Sequence, residues 1–171
     1  MLRAADTKDM IDATVHLEPE VGLLRPPTRE LQVLTWSKQL RPVRFDDHRA
    51  VTMLSHAIHG LQCARNNLER PHLACGHIHS SLYTLCLATL YLHGLQPYGK
   101  EGQKELVVQW GLEHLQIDIE RRARALWARH LWLTTMAGAS DGTELHAVPD
   151  LVETTTQSLA NARMLHPDWF G

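Results

Sequence analysis

The stretch from Pro71 to Gly94, PHLACGHIHSSLYTLCLATLYLHG, constrains this chain most. Its second half, Leu82 to Leu92, is apolar nearly all round and has no break, and a helix of that kind sits inside a bundle. Pro71 suits a first helical turn because its φ is fixed and it lacks an N–H, while Gly94 can take the left-handed conformation that closes a helix. The spacing therefore predicts a central helix over about 71–94 that other helices must cover. With 171 residues the chain is long enough for one domain with its own core.

The flanking sequence supplies the covering helices. Asp46 or Asp47 caps a helix whose apolar positions Ala50, Leu54, Ala57, Leu61, Ala64 and Leu68 alternate by four and three. Thr28 is a plausible N-cap for a shorter helix carrying Leu31, Leu34, Trp36 and Leu40, ending before Pro42. After the loop LQPYGKEGQ, a helix from about Gln103 to Leu115 turns Leu106, Val107 and Trp110 inward. Asp118 caps the next, running to about Leu133 with Ile119, Ala123, Leu126, His130 and Leu133 on one stripe, so that His130 is expected to face protein. A last helix opens at Pro149 and runs to about Leu165, anchored by Leu151, Leu159, Ala162 and Leu165. No segment shows strand periodicity, so the expected fold is all-α, a bundle of five or six helices over 46–171. Residues 1–45 form an N-terminal arm and the short helix.

Composition narrows the setting. No run of 18 or more uncharged apolar residues occurs, and the N-terminus lacks the basic head and apolar middle of a secretory signal, so a cytoplasmic protein without a membrane span is expected. Cys63, Cys75 and Cys86 are odd in number and lie in helical pattern, which fits reduced thiols better than a disulfide framework. A net charge of −2 gives no global attraction to nucleic acid, so such a role needs a local basic patch.

ERRARALWARH, residues 120–130, is such a patch, with Arg121, Arg122, Arg124, Arg129 and His130 close together. Its guanidinium groups can hold phosphates. The structural reading is that arginines flank a buried stripe, with Glu113, Asp118 and Glu120 near enough to neutralise some of them.

The order of features is an amphipathic helix, a central helix ending in HGLQPYG, then GQKELVV, then the arginine-rich helix. That order resembles the HEPN superfamily of small helical domains over about residues 48–165. Gly94 with Pro97, Gly102 with Gln103, and the run Arg121, Arg122 and Arg124 carry the resemblance. It implies a homodimer of a toxin–antitoxin or defence system, acting on RNA or nucleotide, with a cognate antitoxin or other partner protein and no cofactor. Ribonuclease members carry an arginine, a polar residue beside it and a histidine four to six residues on. Arg124 and His130 match by spacing and would be the catalytic pair, with Arg121, Arg122 and Arg129 positioning phosphate. Ala125 departs from the family, which usually has Asn, Asp or His there. In the family two such helices meet across a dimer cleft, where the paired groups activate the ribose 2′-hydroxyl for attack on the neighbouring phosphate without a metal. Positions six apart lie about 120° apart around a straight helix, so the two side chains converge only through a bend or a second copy.

Two other sets compete with this one. His72, Cys75 and His79 follow i, i+3, i+7 on the central helix, a spacing and donor mixture that zinc accepts, with His56 or His59 as a further ligand. The ordinary reading is half-buried histidines satisfied within the bundle. The aromatic residues Trp36, Trp110, Trp127, Trp132, Tyr83, Tyr91 and Trp169 read mainly as packing, although Trp132, beside the basic helix, can also line an interface or stack a base. A third possibility is a non-catalytic partner subunit whose surface alone matters.

Overall fold

The structure, a computed structural model, describes residues 25–99, 102–136 and 147–169, without the side chains of residues 128, 129, 131 and 133–136. The arm before residue 25, most of the expected late loop and the side chain of Arg129 lie outside the described residues. Among the described residues six helices pack together: α1 Arg29–Trp36, α2 Asp47–Asn66, α3 Pro71–Tyr91, α4 Gln103–His114, α5 Ile119–Met136 and α6 Val148–Leu165. Two short strands, β1 Leu40–Pro42 and β2 Leu95–Pro97, join them, and a 3-10 turn over Pro167–Trp169 follows α6.

α3 is the centre, packed against α2, α4, α5 and α6. It starts with Pro71 in its first turn and buries Ala74, Cys75, Ile78, Leu82, Leu85, Cys86, Ala88 and Leu90. The polar residues inside it are satisfied locally. Thr89 Oγ1 donates to the Leu85 carbonyl at 2.9 Å, and Ser81 Oγ donates across to the Ala57 carbonyl of α2 at 2.6 Å. α2 begins at Asp46, whose carboxylate accepts from the backbone N–H groups of His48 and Arg49, and it buries Ala50, Leu54, Ala57, Leu61 and Ala64 as its periodicity requires. Small residues bring the helices close. An added Cβ at Gly60 would lie 3.1 Å from Ser81 Cβ, and one at Gly111 would lie 2.9 Å from Cys86 Cα.

The hairpin corrects the expectation of a purely helical chain. Gly94, at φ 65°, turns the chain out of α3. β2 then pairs antiparallel with β1 in the register Leu40 with Pro97, Arg41 with Gln96 and Pro42 with Leu95. Val43 N–H donates to the Gly94 carbonyl at 2.8 Å and extends the contact. Each strand is three residues long and ends in a proline, so neither has room for an alternating pattern. α1 also stops earlier than expected, at Trp36, and Lys38 takes a left-handed φ of 57° before the strand. In α6 the expected anchor Leu165 is exposed, while Thr154, Thr155, Ser158 and Asn161 are buried. The three hydroxyls donate to carbonyls one turn back, and Asn161 Nδ2 donates to the Leu115 carbonyl at 2.7 Å, closing the end of α4.

Candidate functional site

The arginine helix is α5, held at its start by Asp118. Asp118 Oδ1 accepts from Arg121 N–H at 2.9 Å while Oδ2 sits 3.4 Å from Arg121 Nε. The backbone donor at Arg121, followed by the Arg121 charge, holds the Asp118 carboxyl below the usual carboxylate range. Arg122 reaches back to α4, with Nη1 3.0 Å from Glu113 Oε2. Arg124 bridges to α6, with Nη1 3.1 Å from Asp150 Oδ2 and Nη2 3.8 Å from Glu120 Oε2. All three guanidinium groups therefore meet carboxylates, and the edge is electrostatically compensated at rest. These pairs stay partly open to water, the Arg124 side chain at 43% exposure.

The buried stripe of α5 is displaced from the expected one. Ile119 is 72% exposed, Ala123 and His130 are exposed, and Ala125 is 3% exposed in the core. Arg122 and Trp132 flank Ala125 on the half-buried side. His130 thus faces solvent, contrary to the inward direction its apolar spacing suggested. The long aliphatic stem of Arg122 is half-buried at a position the pattern left on the flank of the stripe. Ala125, beside Arg124, is sealed against the bundle. Trp132 stacks on His79 of α3 at 5.8 Å between ring centroids. Its indole fills space over Gly76, where an added Cβ would come within 2.8 Å of Nε1, so this ring serves packing.

The His72, Cys75 and His79 set is not assembled into a ligand shell. His72 is exposed, Cys75 is fully buried and His79 is engaged in stacking with Tyr83 and Trp132. Burial pushes the Cys75 thiol up to about 11, so with no cation beside it the thiol stays protonated near neutral pH. His56 and His59 are exposed on α2, where the His59 ring lies 3.4 Å from Cys63 Sγ. Among the described residues no group of three or more His, Cys, Asp or Glu side chains is placed to hold a metal ion.

A second constellation was not expected. His93 follows α3, His114 ends α4, and His166 follows α6; with Trp110 and Trp169 they form one continuous ring cluster. His93 lies edge-on to Trp110 and His114 at 5.9 and 5.7 Å, His114 stacks on Trp110 at 5.1 Å and on His166 at 5.6 Å, and His166 meets Trp169 at 5.5 Å. Burial lowers the pKa of all three histidines, and that of His166 falls to about 4. The signal in the sequence is a histidine at the end of three different helices, which only the tertiary fold brings to one place.

No protein-family model, curated protein or solved structure matches this chain. No described helix is long and apolar enough to cross a membrane.

Proposed function

We propose that this is a HEPN-like, RNA- or nucleotide-binding protein that works as a homodimer through the outer edge of α5. The observation that carries the reading is that Arg124 and His130 both reach solvent from this helix, with Arg121 and Arg122 beside them. Exposed ion pairs are worth about 0–1 kcal/mol each, so a phosphate can displace Glu120 or Asp150 from Arg124 at little cost. The carboxylates then act as placeholders that keep the guanidinium extended before ligand arrives. A straight helix separates positions six apart by about 120°, so a second copy is needed to bring one chain's arginine to another's histidine. The buried Ala125 favours binding without cleavage, because no polar side chain can stand beside Arg124 to orient a reacting hydroxyl.

Fluorescence anisotropy with a short single-stranded RNA at low salt tests this. The parent is expected to bind, Arg124→Ala to weaken binding about tenfold, the scale of one charge-assisted contact, and Asp150→Asn to strengthen it by releasing Arg124. A parent protein with no affinity for RNA or nucleotide removes the proposal and leaves the partner-subunit reading. RNA cut by the parent and spared by His130→Ala would instead make it a ribonuclease. Sedimentation in the same buffer reads the dimer.

A further inference from the structure

We propose that His93, His114 and His166 form an acid-sensitive clasp that holds the Arg25–Pro26 and Pro167–Trp169 segments on one end of the bundle and opens when the imidazoles gain protons. Two segments converge on the cluster. From the N-terminal side, Arg25 N–H donates to the Leu92 carbonyl at 2.6 Å, and His93 Nδ1–H donates to the Pro26 carbonyl at 2.8 Å. A carbonyl can only accept, so Nδ1 carries the proton and Nε2 is the bare nitrogen of a neutral ring. From the C-terminal side, the turn Pro167–Trp169 lays Trp169 against His166, and Asp168 reaches Arg25 at 3.2 Å.

The rings meet each other with little provision for charge. His93 Nε2 and both nitrogens of His166 have no hydrogen-bond partner among the described residues, and His166 is 8% exposed. Among the described residues the charged and titratable groups facing the cluster are the other imidazoles and the Arg25 guanidinium, which disfavour a further positive charge, while burial opposes a proton on His93 more strongly than the Pro26 and Arg25 backbone favours it. Asp168, on the C-terminal turn, is committed to Arg25; on α4, Glu113 beside His114 is committed to Arg122. His114 and His166 lie 7° from parallel, so protonation of both would stack two cations face to face. Helix C-termini ordinarily favour a charged histidine, but burial outweighs that pull at these three. The cheapest way to accommodate a proton is to lift the 3-10 turn and the Arg25–Pro26 strap into water, leaving α2 and α3 in place.

Hydrogen exchange read by mass spectrometry on the full chain at pH 7.5 and pH 5, expressed as protection factors so that intrinsic exchange is divided out, tests the clasp. Peptides covering residues 25–30 and 162–169 are expected to lose protection about tenfold or more at pH 5, while those from α2 and α3 keep theirs. His166→Phe retains a stacking ring without a titrating nitrogen and is expected to abolish most of the difference. His114→Phe serves the same purpose if the first variant does not fold. His59→Gln, on the exposed face of α2, is expected to behave like the parent. Equal protection of both terminal peptides at the two pH values, or an unchanged response in a folded phenylalanine variant, overturns the proposal.

Discussion

At Gly111 one hydrogen atom decides how closely two helices pass. A methyl group there would lie 2.6 Å from Cys86 Sγ and 2.9 Å from Cys86 Cα, and the second of these contacts involves backbone that no rotamer change can move. Gly111→Ala is therefore expected to destabilise the protein by about 1–3 kcal/mol through overpacking, despite the roughly 1 kcal/mol advantage alanine has in a helix. A lowered denaturant midpoint measures it, and a raised one would mean that α4 has room to move. The same crossing explains the Cys86 thiol, which burial pushes up to about 12 and which contacts the Val108 carbonyl. The chain shows Gly111 inside a helical pattern, where glycine is unfavourable, but not what it accommodates. Arg124 teaches a similar lesson. Glu113, Asp118 and Glu120 can be named as neutralising partners from sequence proximity, whereas Asp150 lies 26 residues away and reaches Arg124 only because α6 packs beside α5.

At the scale of elements, the ends that carry local chemistry were the legible ones. Asp46 caps α2 with Oδ1 accepting from His48 N–H at 2.9 Å and Arg49 N–H at 3.3 Å. Asp46→Ala is expected to cost about 1 kcal/mol in thermal or denaturant stability, with Asp46→Asn close to the parent because its amide oxygen can still accept. An unchanged midpoint for the alanine variant would show that α2 is held by its packed face alone. The core stripe of α2 was equally readable from Ala50 to Ala64, while Leu68, expected to close it, lies beyond the helix and is 45% exposed. On α5 the pattern held only in part, since Leu126 packs against the core as expected while Ile119, Ala123 and His130 are exposed and Ala125, off the expected stripe, is buried through the contact of α5 with α3. The two strands were invisible for a different reason. Pairing at a distance stabilises them, and nothing within three residues ending in proline announces it.

For the molecule as a whole, acid should be the most informative perturbation. His93, His114 and His166 have folded pKa values below the ordinary 6.5, so the unfolded chain binds more protons in the range between. The sign follows directly: stability is fully present above about pH 6.5 and is lost as pH falls towards the folded value of His166, about 4. Urea unfolding at pH 7.5 and pH 5 is expected to differ by about 1–2 kcal/mol after allowance for solvent screening. Equal values would mean that the buried rings find compensation on protonation. The six-helix architecture around α3 was legible because one apolar stretch required it, while the histidine cluster was hidden because its members are far apart in the chain and share only their helix-end positions. The β1–β2 ladder has a consequence for how the molecule is made. Its strands flank the entire α2–α3 pair, so docking of that pair shortens the loop between them. The ladder is therefore expected to form together with or after the docking of α2 on α3, with Leu40 and Pro97 as its outermost pair.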